Sequence, residues 1–175
     1  TSEQLFYDKK TGFDRLTAED KQGIQTYAES YKKFLDEAKT ERDAVVEIAR
    51  MAEEHGFRAW TRDDTLRAGD KIYRINRHKG IMLAVIGQNS LAEGVRLTAA
   101  HLDAPRVDIR TVPLYEDNGM AFFKTHYYGG IKKYQWTAIP LELRGVVCVC
   151  ENGEVKRVQV RVGDKPTDPK FVITD

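Results

Sequence analysis

The residues of this chain best suited to chemistry are His101 and Asp103, which are separated by a single leucine. Residues 95–100, before them, are largely apolar and predict a β-strand that ends at His101. Side chains two residues apart on a strand share a face, and Pro105 then ends regular pairing. A neutral imidazole is a common zinc ligand, and a neighbouring carboxylate can fix its tautomer. The pattern therefore predicts a metal ligand with a carboxylate partner.

This pair is at most half of a metal site, because zinc needs at least three protein ligands. A buried histidine hydrogen-bonded to its neighbour would show the same short pattern. Two other histidines offer little, since His55 lies at a predicted helix end and His78 in a predicted turn. No G-x-S-x-G, Walker, H-E-x-x-H or paired C-x-x-C motif indicates a competing site.

His126 is a candidate substrate-binding residue. It lies in an aromatic segment, residues 121–128, that is followed by a pair of glycines. Glycines allow close backbone approach, and histidine beside tyrosine is common in loops that face ligands. An aromatic strand packed within a β region would explain the same residues. Arg106 and Arg110, near the His101 pair, could hold a carboxylate, but on a twisted strand they are expected to pair with surface acids.

The elements that must position these residues begin with two helices. Thr17 and Thr40 are predicted N-terminal caps, each followed by apolar residues at helical spacing, and Gly56 marks the end of the second helix. Both helices are expected to cover a sheet. Further along, residues 71–77 alternate in polarity and residues 81–86 form a continuous apolar run, which predicts a hairpin.

From about residue 111 the sequence predicts a separate, mostly antiparallel β region. Asn152 and Gly153 are its strongest hairpin signal. We therefore expect two domains, residues 1–110 and residues 111–175. The predicted fold class is α/β, with helices covering a mixed sheet and a β-rich domain after it.

Composition excludes several classes of function. The 28 basic and 27 acidic residues nearly cancel, which gives no indication of nucleic acid or of an anionic membrane as partner. The apolar runs are too short to span a bilayer. No basic segment followed by an apolar run opens the sequence, so we expect no signal peptide. Cys148 and Cys150 are interpreted as small buried residues rather than as a disulfide. We therefore expect a cytoplasmic protein.

Three segments together resemble the M18 family of zinc aminopeptidases, and most of all its bacterial, clostridial-type branch. They are residues 98–106, residues 124–130 leading to Trp136, and residues 171–175. The resemblance covers nearly the whole chain in both order and spacing. It implies the N-terminal part of such an enzyme, in which the start of an α/β sandwich is followed by the beginning of a β-rich, barrel-like insertion domain.

The resemblance implies a metal-dependent aminopeptidase that releases N-terminal amino acids from peptides. His101 would bind one zinc ion of a dinuclear site, Asp103 would orient it, and a metal-activated water would attack the peptide bond. Cobalt or manganese would be alternatives to zinc. The remaining ligands and the general base are expected downstream of Asp175, so the chain alone is expected to be inactive. The insertion domain implies a homodimer that builds up a larger assembly.

A different class of function stays open, namely a non-catalytic interaction or assembly module derived from such an enzyme. It would bind a partner through open strand edges. A third possibility is that a separate chain completes the site. Continuation of the reading frame past Asp175 with acidic and histidine ligands would favour the enzyme.

Overall fold

The computed structural model describes residues 9–174, so the residues at which a signal peptide would begin lie outside the described chain, as does Asp175. The chain forms two compact units that divide between Gln88 and Asn89. No helix of the described residues is long and apolar enough to cross a membrane. The helices and strands are α1 (Ala18–Glu37), α2 (Glu41–Glu54), β1 (Arg58–Ala59), β2 (Lys71–Asn76), β3 (Gly80–Val85), β4 (Arg106–Asp117), β5 (Met120–Tyr128), β6 (Leu143–Glu151) and β7 (Glu154–Val162).

Both helices begin where the sequence predicts. The Thr17 hydroxyl accepts from the Asp20 main-chain N–H at 3.1 Å, and the Asp20 carboxylate accepts from the Thr17 N–H at 2.9 Å, which completes a capping box. At α2 the Thr40 hydroxyl accepts from the Asp43 N–H at 3.2 Å. Caps of this kind stabilise a helix by about 1 kcal/mol. The predicted end is also confirmed, because α2 stops just before Gly56, whose φ is 81°.

The core of the first unit lies between α2 and its sheet. Ala49 and Ala52 of α2 pack with Tyr73 of β2, and all three are buried. The partly buried Phe57 and Ile81 extend this cluster. In the sheet, β1 runs parallel to β2 and β3 runs antiparallel to it. The predicted mixed α/β fold, with a helix over a mixed sheet, is therefore confirmed.

The other helix, α1, does not cover the sheet as expected. None of its residues is buried, and Tyr27 is 72% exposed. Its aromatic rings stack on one another instead, Tyr27 on Tyr31 at 6.4 Å and Tyr31 on Phe34 at 6.2 Å. They line an open apolar groove of about 440 Å³ together with residues of α2 and β3. Since α2 already packs on the sheet, α1 contributes no buried residue.

Both predicted hairpins are present. β2 and β3 pair across a turn in which Arg77 and His78 have φ of 51° and 58°. β6 and β7 pair without a register shift, and Asn152 and Gly153 form their turn at φ of 54° and 85°. Asparagine followed by glycine adopts two successive left-handed conformations at low cost, which explains why this signal is reliable.

The second unit consists of two antiparallel ribbons, β4 with β5 and β6 with β7. The register of the first ribbon shifts between Ile109 and Leu114, where β4 has more residues than β5. The domain boundary expected at residue 110 lies inside β4, and the two compact units divide between Gln88 and Asn89. Both ribbons are two-stranded and open.

Cys148 and Cys150 are exposed, which corrects the expectation that they are buried. They lie on β6 opposite Arg157 and Val155 of β7. A two-stranded ribbon buries a residue only where another element packs on that face, so apolar character alone does not bury a side chain here. Both thiols are free.

Candidate functional site

The segment that carries His101 and Asp103 is a loop rather than the end of a strand. Residues 94–105 have no regular secondary structure, and residues 94–101 are exposed. The strand predicted over residues 95–101 is therefore wrong. Its apolar residues favour a strand, but a strand also needs a neighbour to bond its backbone, and no strand within residues 9–174 pairs with it.

His101 has its ring largely in solvent, with 82% of the side chain exposed. Its Nδ1–H donates to the main-chain carbonyl oxygen of Asp103 at 2.6 Å. Because a carbonyl oxygen can only accept, the proton of the neutral ring lies on Nδ1, and the Nε2 lone pair is left for a ligand. The carboxylate is further away, with Asp103 Oδ1 at 3.6 Å from Nδ1. The main-chain carbonyl, and not the expected carboxylate, therefore sets the tautomer.

The Asp103 carboxylate is bound instead by a tyrosine of β5. The Tyr128 hydroxyl donates to Oδ2 at 2.7 Å. This hydrogen bond is the main reason that the pKa of Asp103 lies below its ordinary value of 3.8. The main-chain N–H of Asp103 and the charges of His101 and Arg106 lower the pKa further. The carboxylate is therefore ionised at neutral pH.

Tyr128, the last residue of β5, and Gly129 directly after it both contact the loop formed by residues 94–105. Tyr128 pairs in register with Arg106, the first residue of β4. The Arg106 guanidinium lies over the Tyr128 ring, 4.3 Å from its centroid, and Nε of this arginine donates to Asp108 Oδ1 at 2.7 Å. Gly129, at φ 75°, approaches Pro105 so closely that a Cβ there would lie 3.4 Å from the Pro105 Cα. The predicted acid pairing is thus confirmed for Arg106, whereas Nε of Arg110 donates to the main-chain carbonyl oxygen of Thr125 at 3.1 Å. The loop is anchored to a regular strand.

Tyr128 is the residue of this site that the sequence analysis did not find. The aromatic segment before Gly129 indicated His126, because histidine beside tyrosine is common in loops that face ligands. Which residue of β5 lies beside the loop depends on the register of β4 and β5, and the shift after Ile109 makes that register hard to predict. A usable signal is a tyrosine directly before a glycine that allows a second backbone to approach.

His126 lies two residues before Tyr128 on the same strand but lines a groove to which Tyr128 does not contribute. Its ring stacks on Tyr127, with centroids 5.4 Å apart and planes at 29°. It lines a groove of about 330 Å³ together with cationic Arg110 and Lys133, and residues 94–105 do not contribute to that groove. The structure thus brings His101 and Asp103 together with Tyr128 and leaves His126 apart from them.

The metal-binding capacity of the described residues is incomplete. Within residues 9–174, no three side chains of the His, Cys, Asp or Glu types are arranged to hold a metal ion. His101 fits the role of one zinc ligand, since its ring is exposed and its Nδ1 is hydrogen-bonded as in many metal-bound histidines. A zinc site needs at least two further ligands, which these residues do not supply.

Comparison with known proteins gives the family. Residues 34–173 match the family model described as aminopeptidase I zinc metalloprotease (M18). The chain belongs to the M18 family. Among relatives, the probable M18 family aminopeptidase 1 of Borrelia garinii is 42% identical over 167 residues, which cover 95% of this chain and 36% of that protein. The corresponding protein of Clostridium acetobutylicum is 40% identical over 177 residues, covering 98% of this chain and 37% of that protein.

Solved aminopeptidase structures show the same fold. The crystal structure of aminopeptidase I from Borrelia burgdorferi B31 matches with a TM-score of 0.87 at 40% identity, over 95% of this chain and 40% of that chain. The family predicted from the sequence is therefore confirmed. The chain spans little more than a third of the length of the curated M18 relatives named above.

Proposed function

We propose that this chain is the N-terminal part of a zinc-dependent aminopeptidase that removes N-terminal amino acids from peptides, with His101 as one zinc ligand. The observation that carries the proposal is the geometry of His101, whose ring is exposed while its Nδ1–H donates to the Asp103 carbonyl. Membership of the M18 family supports the reaction class. His101 and the further ligands of the complete site would hold zinc, which would supply Lewis-acid polarisation of a peptide carbonyl and activation of a water as nucleophile.

Asp103 fixes the orientation of the His101 imidazole and determines which ring nitrogen carries the proton. The Asp103 carbonyl oxygen holds the proton at Nδ1, so that Nε2 carries the lone pair. The ionised Asp103 carboxylate lies 3.6 Å from Nδ1. Its negative charge makes the imidazole a stronger electron-pair donor to a metal ion through Nε2. The proposal includes two metal ions in the complete site, with cobalt or manganese as alternatives to zinc.

The 175-residue chain is expected to be inactive by itself, because His101 is a single candidate ligand and residues 9–174 hold no cluster of three. Incubation with an aminoacyl p-nitroanilide should give no turnover above a buffer control. Metal analysis after dialysis against trace zinc should find no stoichiometric zinc. Turnover, or tightly held zinc, would contradict this and would indicate that oligomerisation or a partner completes the ligand set.

The assignment of His101 is tested by a matched pair of histidine variants in the complete polypeptide. His101→Asn should lower zinc retention and peptidase activity by more than the roughly 10- to 100-fold typical of losing an outer hydrogen-bond partner. His78→Asn is the control, because His78 is also exposed and asparagine tolerates its φ of 58°. In the wild type, a chelator should remove activity and zinc should restore it.

Two results would refute the proposal. Unchanged zinc binding and activity in His101→Asn would refute the ligand assignment. A complete polypeptide that neither binds zinc nor cleaves an aminoacyl p-nitroanilide would refute the function, and would favour the non-catalytic assembly module.

His126 as a substrate-binding residue is a further part of the proposal. Its groove carries the cationic side chains of Arg110 and Lys133, which would suit a peptide carboxylate. His126→Asn should then raise KM for a peptide and leave kcat unchanged, since it would remove binding common to substrate and transition state. An unchanged KM would exclude this role.

We also propose that residues 1–110 belong to the catalytic domain and that residues 111–175 begin a barrel-like insertion domain of a homo-oligomer. The support is the open β6–β7 ribbon, where Val147 and Val158 lie opposite each other at 49% and 46% exposure. A two-stranded ribbon needs further packing to be stable. Sedimentation velocity of the complete enzyme should show a species larger than a monomer, and a monomer at all concentrations would contradict the proposal. Cell fractionation tests the predicted cytoplasmic location.

A further inference from the structure

The hydrogen bond from Tyr128 to Asp103 joins an irregular, exposed loop to a regular strand. The tyrosine itself is held in place, because it is the last residue of β5 and pairs in register with Arg106. The Arg106 guanidinium covers its ring at 4.3 Å. The hydroxyl is therefore presented to Asp103 from a fixed position.

We propose that Tyr128 is a positioning residue of the zinc site, whose hydroxyl holds Asp103 and thereby the main-chain carbonyl that orients His101. This inference rests on the proposed function, because it requires His101 to be a zinc ligand. Two contacts in series carry it. The hydroxyl reaches Asp103 Oδ2 at 2.7 Å, and the carbonyl oxygen of the same Asp103 accepts from His101 Nδ1 at 2.6 Å.

The physical reason is preorganisation of the ligand. His101 is 82% exposed and lies in a loop without regular structure, so its ring is oriented by few contacts. A ligand held in its binding orientation loses less freedom when the metal binds. Without the hydroxyl, the Asp103 side chain would lose this anchor on β5, and the carbonyl that fixes the imidazole would move with the loop. Loss of an outer partner of a metal ligand typically costs about 10- to 100-fold in metal affinity or activity.

Two other roles for Tyr128 make different predictions. A tyrosine that contacts the substrate directly would change KM, because substrate binding would weaken. A tyrosine that only stabilises the fold would lower the melting temperature and leave the zinc affinity, the cobalt spectrum and kcat of the folded enzyme unchanged. Phenylalanine separates these roles, since it keeps the ring beneath Arg106 and removes only the hydroxyl.

The experiment compares Tyr128→Phe with Tyr115→Phe in the complete enzyme. Both tyrosines lie in the β4–β5 ribbon, with 41% and 40% exposure, and each has a cation over its ring, which for Tyr115 is Lys124 at 5.3 Å. The quantities measured are the zinc dissociation constant by chelator competition, the visible spectrum of the cobalt-substituted enzyme, kcat, KM and the melting temperature.

Tyr128→Phe should weaken zinc binding and lower kcat, each by up to about 10-fold, the lower end of the range for direct partners of a ligand, and leave KM unchanged. The cobalt spectrum should change, while Tyr115→Phe should match the wild type in zinc affinity, spectrum and kcat. In an Asp103→Ala background, Tyr128→Phe should produce no further loss of zinc affinity, because the two residues act through one contact. If Tyr128→Phe does not fold, Asp103→Asn replaces it, and it should retain more zinc affinity than Asp103→Ala because its amide oxygen still accepts from Tyr128.

Unchanged zinc affinity and kcat in Tyr128→Phe would overturn the inference, as would a rise in KM alone. An equal loss with and without the Asp103 side chain would overturn it too. Loss of zinc binding in His101→Asn together with wild-type behaviour of Tyr128→Phe would leave the proposed function standing and remove only this inference. Wild-type zinc binding in His101→Asn would refute both.

Discussion

Val45 and Val46 are adjacent residues of α2 in opposite environments, with exposures of 1% and 66%. Replacing each by alanine removes the same atoms and improves helix propensity by the same amount, about 0.5 kcal/mol. At Val45 the lost burial of two methylene equivalents costs about 1.6 kcal/mol, and the cavity left behind adds to that cost. We therefore expect Val45→Ala to lower the free energy of unfolding by about 1.5 to 2 kcal/mol, while Val46→Ala stays within about 0.5 kcal/mol of the wild type.

The assay is urea unfolding of the 175-residue chain, followed by far-ultraviolet circular dichroism. Both α-helices of the described residues belong to the first unit, so the helical signal reports the unit in which Val45 is buried. The slope against urea should be equal in both variants, because the surface exposed on unfolding is nearly the same. Equal losses of stability in the two variants, or a larger loss in Val46→Ala, would refute the packing of α2 on its sheet.

Two further predictions concern the second unit. The pKa of Asp103 is lowered below 3.8, mainly by the Tyr128 hydroxyl, so the folded state binds this proton more weakly than the unfolded chain. The stabilisation by this hydrogen bond is thus present above about pH 4 and is lost as the pH falls through the lowered pKa. The difference in urea midpoint between wild type and Tyr128→Phe should therefore shrink from about pH 6 to about pH 3. A difference that does not depend on pH would contradict this. Gly163→Ala places a Cβ 2.9 Å from the Glu142 Cα at φ 100°, and should destabilise by about 2 to 5 kcal/mol. Gly153→Ala has a similar φ and open space around it, so only about 1 to 2 kcal/mol is expected, and equal losses in urea unfolding would show that the close approach at Gly163 is not real.

Local signals were sufficient for much of the fold. The caps at Thr17 and Thr40 and the turn at Asn152 and Gly153 depend on contacts within about four residues, so their chemistry can be read in the chain itself. The family was also predictable from the residues around His101, and residues 34–173 match the M18 family model.

The burial of apolar residues was harder to predict from the sequence than the helices and hairpins. The apolar residues 95–101 favour a strand, and Cys148 and Cys150 suit a buried one, yet all of these residues are exposed. Whether an apolar residue is buried depends on a partner element that packs against it, and a hydrophobic pattern does not identify that partner.

The order of residues around His101 is enough to bring His101 and Asp103 into contact, because two residues of chain cannot separate them by much. It does not determine which oxygen of Asp103 the ring contacts, since the main-chain carbonyl and not the expected carboxylate accepts from Nδ1. The third member, Tyr128, lies 25 residues further along, and its contact with Asp103 exists only because β4 and β5 pair in the register that sets Tyr128 opposite Arg106. A shift of one residue in that register would turn the hydroxyl to the other face of the ribbon, so only the tertiary structure decides which residue supports the candidate ligand.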